Sequence, residues 1–335
     1  MNKVLSVCVP SYNMEKYLNR CIDSFLVPEV LDQLEIIIVN DGSTDNTLSI
    51  ANGYKEDYPR SIVVIDKPNG HYGSCVNASL KVATGKYFRI VDADDWVDSE
   101  SLVTFINILE KIDVDCVCTN FTVHNLNDNS IRIINTQVAP IEKKLDLNLL
   151  SLQENCFRMH CLTFSLSLLR RIAYNQTEGI CYSDTEYSYL PLSCSENMCF
   201  INISLYQYFI GRSNQSVAPE VLQKNFKHLL EEINLLQKEH VMQYPFNKNE
   251  PMIYASLMNR LFNMAVPLYL LYNKYDKIID DQFRHSITDF KKKGFSCNDL
   301  MNNTMFHVPY VSLWFYSRPF SKFVTSIIKL LKFVH

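Results

Sequence analysis

The sequence predicts an α/β fold, in which a mainly parallel sheet is flanked by helices and is followed by a helical C-terminal region. Short β-branched runs alternate with apolar stripes of helical period over residues 1–120. Such alternation is typical of parallel sheets covered on both faces. Beyond residue 219 the pattern changes to wide apolar helical faces with charged backs. The chain has 335 residues, 47% of them hydrophobic, which is enough for a large core.

The elements can be assigned in chain order from this periodicity. Strands are predicted at residues 4–9, 35–39, 62–65, 87–91 and 116–121, and helices at 15–26, 43–54, 74–83 and 98–112. Further along we predict a strand at 131–136, helical structure over 146–175, a strand at 199–209 and helices at 220–240, 251–274 and 276–292. These assignments predict two domains, residues 1–215 and 216–335.

Charge and cysteine content exclude several classes of protein. The net charge of −4 lacks the basic excess of a nucleic-acid binder, so no nucleic-acid partner is expected. The eleven cysteines are an odd number in a chain that begins with a strand, which predicts reduced thiols and a cytoplasmic location. A G-x-G-x-x-G after the first strand and a P-loop are both missing, which excludes a dinucleotide cradle and a P-loop phosphotransferase.

Polar clusters follow three predicted strands. Asp92, Asp94 and Asp95 follow the fourth strand, Asp41 follows the second, and Tyr12 follows the first. Ligands of parallel sheets bind outside the carboxyl ends of the strands, so the three clusters are expected at one edge. Crowded carboxylates suit a hard divalent cation, Mn²⁺ or Mg²⁺, although each cluster by itself also fits an ordinary turn or helix cap.

Four motifs together resemble one known family. Residues 7–13, 37–45, 83–87 and 92–95 look like glycosyltransferase family 2, whose members are inverting enzymes with the GT-A fold. The resemblance covers residues 3–125 strongly, continues weakly to 215, and does not extend over the C-terminal helices. It implies a bacterial polysaccharide or glycoprotein-glycan enzyme that takes a sugar from a nucleotide donor.

The resemblance also implies roles for individual residues. Asp41 would recognise uracil, Pro10 and Tyr12 would line the base pocket, and Arg212 would clamp the diphosphate. The implied donor-binding set is Pro10, Tyr12, Asp41, Asn69, Gly70, Asp92, Ala93, Asp94 and Arg212, and the implied metal set is Asp92, Asp94 and Asp95.

The implied catalytic base is Asp184, with Glu186 as the reserve candidate. The sequence departs from the family pattern at two places, because Ser183 stands where a glutamate usually precedes the base, and Val76 stands where an arginine usually precedes Asn77. The second departure removes one expected basic contact with the donor.

The expected donor is a UDP-hexose or a UDP-N-acetylhexosamine, and the expected acceptor is a hydroxyl of a surface-polysaccharide, lipid-linked or protein-bound glycan. A non-catalytic nucleotide-sugar-binding subunit remains the alternative. The tail, residues 318–335, has four basic residues and no acid. Its predicted apolar face comprises Phe320, Val324, Ile327, Ile328 and Leu331. This pattern fits either a terminal helix docked on its own domain or a peripheral contact with the inner face of a membrane. A homodimer also remains open.

Overall fold

The computed structural model describes residues 3–139, 141–212, 215, 218–305 and 308–332. The chain divides into two compact units, one of Met1–Arg212 with Tyr244–Glu250 and the other of Ser213–Gln243 with Pro251–His335. Residues 213–214 and 216–217, beside the predicted domain boundary, lie outside the described residues, as do the last three residues of the tail. The assignment of donor binding and catalysis to residues 1–215 stays a prediction.

The first unit contains a ten-stranded sheet. Its strands are β1 (Leu5–Ser11), β2 (Leu34–Asp41), β3 (Ile62–Lys67), β4 (Tyr87–Ile90), β5 (Trp96–Val97), β6 (Cys116–Asn125), β7 (Ser130–Ile134), β8 (Leu145–Asp146), β9 (Leu162–Ser165) and β10 (Asn197–Ile210). The strand order is β3-β2-β1-β4-β9-β6-β10-β5, with β7 beside β6 and β8 beside β10.

The strands β3, β2, β1 and β4 form a parallel block, and β6 is parallel to β10. β9 lies antiparallel between β4 and β6. The residues of β2 are buried along its whole length, because helices cover both faces of a parallel sheet. The mixed α/β class and the mostly parallel sheet predicted from the sequence are confirmed.

The helices of the first unit follow the strands as the alternation predicts. They are α1 (Leu18–Asp23), α2 (Thr47–Asp57), α3 (His71–Val82), α4 (Ser99–Lys111), α5 (Leu166–Arg171) and α6 (Asp184–Cys194). The eleven cysteines have free thiols, and ten of them are buried.

The prediction of helical structure over residues 146–175 is wrong for most of that range. The segment contains two short 3-10 turns, Glu154–Phe157 and Met159–Cys161, and then β9 and α5. Side chains supply backbone hydrogen bonds here: Asn249 donates to the carbonyl of Leu147 at 2.7 Å and accepts from the amide of Leu152 at 3.3 Å. An irregular path with buried apolar residues is therefore stable without a helix.

The second unit consists of helices α7 (Pro219–Lys224), α8 (Phe226–His240), α9 (Glu250–Tyr272), α10 (Lys277–Lys292), α11 (Asn298–Met301), α12 (Tyr310–Tyr316) and α13 (Ser321–Lys332). The helix predicted at 220–240 is divided at Asn225, which separates α7 from α8.

A buried ion pair within α10 is hydrogen-bonded to α12. The Arg284 guanidinium contacts the Asp280 carboxylate at 2.8 Å and donates to the carbonyl of Trp314 at 2.6 Å. The indole of Trp314 donates to the same carboxylate at 2.6 Å. These hydrogen bonds satisfy two charges that would otherwise destabilise the interior. Within the described part of the chain, no helix has the length and apolar character needed to cross a bilayer.

Candidate active site

The predicted site residues gather where parallel strands end. β1 lies between β2 and β4, so the loops that follow these three strands meet at one edge of the sheet. In the first two loops, the amide of Asn13 donates to the Ser43 hydroxyl at 3.0 Å, and the Asn13 side chain accepts from the amide of Thr44 at 2.9 Å. Pro10 is half-buried at the end of β1, and Tyr12 beyond it is 49% exposed.

Asp41 is buried at the end of β2 and organises the loop before α3. Its Oδ1 accepts from the amide of Gly70 at 2.9 Å and forms an ion pair with Lys67. Asn69 donates to the Asp41 carbonyl at 3.0 Å. The structure therefore brings three predicted residues together, and adds Lys67, which the sequence reasoning missed. A lysine at the end of the neighbouring strand was the available signal.

Gly42 explains how this loop can approach Asp41. Its φ is +71°, and a Cβ there would lie 2.9 Å from the amide nitrogen of Asn69. Any larger residue would therefore be strained by its backbone and would push Asn69 away.

The three aspartates after β4 offer ligand oxygens that all lie within 4.8 Å of one another. Burial raises the pKa of Asp92 to about 6, and nearby Asp184 acts in the same direction. The hydroxyl of Tyr72 donates to Asp92 Oδ1 at 2.9 Å, which favours the ionised form. Hard oxygen donors at this spacing fit Mn²⁺ or Mg²⁺.

Asp95 differs from its two neighbours. It is 1% exposed, its Oδ2 accepts from the Tyr206 hydroxyl at 2.6 Å, and its Oδ1 accepts from the amide of Phe209 at 2.7 Å. Tyr206 also accepts from the amide of Asp92 at 3.2 Å. Because both carboxylate oxygens accept from β10, Asp95 attaches the acidic cluster to that strand.

Arg212 follows β10 and reaches the acidic cluster. Its guanidinium forms an ion pair with Asp94 and lies 4.5 Å from the ring centroid of Tyr17. Arg20 approaches the same place and donates to the Asp94 carbonyl at 2.7 Å. Ala93, also in the predicted set, is buried between the two aspartates. Two cations thus lie beside the carboxylates, where a diphosphate would need positive charge.

Asp184 is the first residue of α6, and Glu186 lies one residue beyond Thr185. Burial raises the pKa of both Asp92 and Tyr72, and the charge of Asp184 acts on each in the same direction, which places its carboxylate in the same electrostatic environment. Glu186 is buried, and its Oε2 accepts from the amide of Thr177 at 3.0 Å and from the Thr177 hydroxyl at 3.1 Å. Glu186 therefore braces the segment before α6.

Asn77 fixes the same segment from α3. Its side chain donates to the carbonyl of Gln176 at 2.8 Å and accepts from the amide of Gln176 at 2.8 Å. Gln176 in turn donates to the Ser183 hydroxyl at 3.0 Å. Ser183, which departs from the family pattern, is thus part of a buried chain of hydrogen bonds that ends beside Asp184. No sequence motif signals these hydrogen bonds, because Asn77 and Gln176 are 99 residues apart.

This fold, with an acidic cluster at the carboxyl edge of its sheet, can be compared with known proteins. The model of Glycosyl transferase family 2 matches residues 6–177, just over half of the chain. The chain belongs to glycosyltransferase family 2.

Similar proteins include the chondroitin synthase of Pasteurella multocida, which is 36% identical over 132 residues, 39% of this chain. The chain spans only 13% of that relative's length. The glycosyltransferase GlyG of Streptococcus pneumoniae is 27% identical over 62% of this chain and 71% of its own length. A crystal structure of S. aureus TarS in complex with UDP-GlcNAc superposes with a TM-score of 0.60, at 17% identity, over 97% of this chain and 90% of that one. This likeness confirms the GT-A fold.

Proposed function

We propose that the chain transfers a hexose or an N-acetylhexosamine from a UDP-sugar to a hydroxyl of a glycan acceptor, with inversion at the anomeric carbon. The observation that carries this proposal is the convergence of Asp41, Asp92, Asp94, Arg212 and Asp184 at one edge of the sheet. A base-recognition carboxylate, a metal-binding pair, a cation and a general base are the groups that the reaction needs.

For the donor, the proposal assigns uracil to the pocket formed by Asp41, Pro10 and Tyr12. The second carboxylate oxygen of Asp41 would accept from the base, since Oδ1 is already engaged by Lys67 and Gly70. The exposed ring of Tyr12 can stack on the base. UDP-GlcNAc in the similar TarS structure is consistent with a uridine donor.

The diphosphate would lie beside Asp92 and Asp94, which would hold Mn²⁺ or Mg²⁺. Such an ion supplies positive charge that offsets the charge developing on the leaving diphosphate. Arg212 would rotate from Asp94 towards the diphosphate and contribute a second positive charge in bidentate geometry.

Asp184 would act as the base. As the acceptor oxygen bonds to the anomeric carbon, the bond from that carbon to the diphosphate oxygen breaks on the opposite face, and the hydroxyl proton moves to the Asp184 carboxylate. One in-line displacement through an oxocarbenium-like state inverts the centre. The proposed setting is the cytoplasm, at the inner face of the membrane when the acceptor is lipid-linked.

A thermal-shift panel tests the donor site first. We expect UDP and UDP-sugars to raise the unfolding midpoint in the presence of Mn²⁺, and GDP, CDP and NAD to have smaller effects, because a ligand that binds only the folded state adds RT ln(1 + [L]/Kd). Absence of any uridine-dependent shift would contradict the assignment of Asp41, Asp92 and Asp94 together.

The non-catalytic alternative is separated from the enzyme by product formation. An enzyme releases UDP from the UDP-sugar that gave the thermal shift, slowly when water accepts the sugar and faster when a glycan does. The Asp184→Asn variant is expected to keep the thermal shift and to lose UDP release. A binding subunit would give the thermal shift with no UDP release in either form.

A further inference from the structure

Helix α13 has three distinct faces. At about 100° per residue, one face comprises buried side chains, namely Ser321, Val324, Thr325 and Ile328. A second face is apolar and exposed: Phe323 is 66% exposed, Ile327 is 36% exposed and Leu330 is 66% exposed. The predicted single apolar face is therefore divided, since Val324 and Ile328 are buried while Phe320 and Ile327 are exposed. The side chain of Leu331, the fifth predicted member, lies outside the described part of the structure. Docking of α13 on its own unit accounts for the buried face alone.

We use the name α13 stripe for the exposed apolar side chains Phe323, Ile327 and Leu330 of α13 together with Phe320, which ends the 3-10 turn Arg318–Phe320 just before the helix. Isolated exposed apolar residues are ordinary on a protein surface. Four large ones at intervals of three and four residues are a contiguous surface of the kind that marks an interaction site. Tyr316, 69% exposed, ends α12 just before the turn that leads into α13.

Basic side chains border the α13 stripe. Lys322 is exposed on the third face of α13, and the Arg318 side chain is 77% exposed, 3.8 Å from Asp281. Lys291 of α10 reaches the Tyr316 hydroxyl at 3.2 Å, which brings the basic end of α10 beside α12. From residue 300 onward the sequence contains no Asp or Glu. The side chains that border the stripe are therefore mainly basic, and Asp281 is the acid beside Arg318.

We infer that the α13 stripe inserts into an anionic lipid surface, with Arg318 and Lys322 at the level of the headgroups. An apolar face bordered by cations is the pattern of helices that lie in a membrane interface, where apolar burial and attraction to anionic lipid act together. A second copy of the chain is a poorer occupant. In a twofold contact the same patch meets itself, so the cations Lys322 and Arg318 of one copy would approach a surface that carries the same sign of charge.

This inference does not depend on the identity of the donor or the acceptor. Vesicle flotation of the full chain, without nucleotide or glycan, measures the surface directly. We expect binding to vesicles of phosphatidylcholine mixed with phosphatidylglycerol, weaker binding to phosphatidylcholine alone, and loss of binding as salt rises from about 0.1 M to about 0.5 M, because salt screens the headgroup attraction.

Two variants test the residues. Phe323→Glu combined with Leu330→Glu is expected to lower the partition coefficient at least about a hundredfold, since each large apolar side chain that leaves the bilayer costs about tenfold. Lys322→Glu is expected to lower binding to the anionic vesicles and to leave binding to the neutral ones unchanged. Val241→Glu is the matched control, because Val241 is 65% exposed in the same unit but lies outside the stripe.

All of these positions are exposed, so the unfolding midpoint and the UDP-dependent shift should stay at the wild-type values, which shows that a variant is folded. Equal flotation of the wild type and the double variant would overturn the inference. So would failure of the wild type to bind anionic vesicles, or a concentration-dependent dimer in light scattering that the double variant abolishes.

Discussion

Asp184 and Glu186 are the first and third residues of α6, and substituting each one separately decides which carboxylate is the base. The isosteric pair Asp184→Asn and Glu186→Gln changes charge and leaves volume almost unaltered. Glu186 is buried and accepts two hydrogen bonds from Thr177, at 3.0 and 3.1 Å, so we expect its role to be structural. Asp184 shares the environment of Asp92, so we expect its role to be chemical.

The magnitudes follow from these contacts. A glutamine oxygen at position 186 can still accept from Thr177, but two charge-assisted hydrogen bonds become neutral ones, which costs up to about 3 kcal/mol of unfolding free energy. Turnover should stay within about tenfold, because no proton acceptor is lost. Asp184→Asn removes the proton acceptor and should lower turnover by about 10²- to 10⁴-fold, with little change in stability.

Both quantities can be measured on the same preparations. UDP release gives turnover, denaturant unfolding gives stability, and the Mn²⁺-dependent thermal shift with UDP shows that the donor site is intact. The reasoning is refuted if Glu186→Gln abolishes UDP release at unchanged stability while Asp184→Asn remains active.

Three further predictions concern the surroundings of the site. Gly73→Ala should destabilise the fold and lower turnover, because a Cβ there overlaps the carbonyl oxygen of Thr177; an unfolding curve equal to wild type would contradict this. The rise in unfolding midpoint that UDP and Mn²⁺ produce should become smaller as the pH falls from about 7 to about 5. Burial raises the pKa of Asp92 to about 6, and the protonated carboxyl that dominates below that pH cannot bind the ion. A rise that is independent of pH over this range would contradict the prediction. Arg212→Gln should tighten Mn²⁺ binding in the absence of donor, since Asp94 loses the guanidinium that competes with the ion, and it should lower turnover. Calorimetry measures the Mn²⁺ affinity, and UDP release measures the turnover.

The elements with strong periodicity were predictable because the apolar residues that they bury form a regular pattern within one short segment of sequence. β1 to β4 are short apolar runs ended by polar loops, and each occurs within a few residues of its predicted position. The segment 146–175 was not predictable in this way. Its apolar residues are buried like those of a helix, but its backbone is satisfied by Asn249, about 100 residues away in sequence.

The same limit applies to the candidate site. The residues at strand ends, such as Asp41 and Asp92, could be found from their position after apolar runs. Asp92, Asp94 and Asp95 were predicted as metal ligands because three carboxylates crowd the end of one strand, and only the structure reveals that the Asp95 oxygens accept from Tyr206 and Phe209. Lys67 and Gln176 have no motif of their own, since their contribution depends on tertiary neighbours.

The attachment of Asp95 to Tyr206 has a consequence for the order in which the protein folds. The two residues are 111 positions apart, and closing so long a loop costs entropy before the hydrogen bond can compensate. On a ribosome, strands β1 to β4 emerge well before β10. The acidic cluster therefore remains without its anchor until β10 has been synthesised and has paired with β6, so we expect the proposed donor site to form only when the sheet is complete.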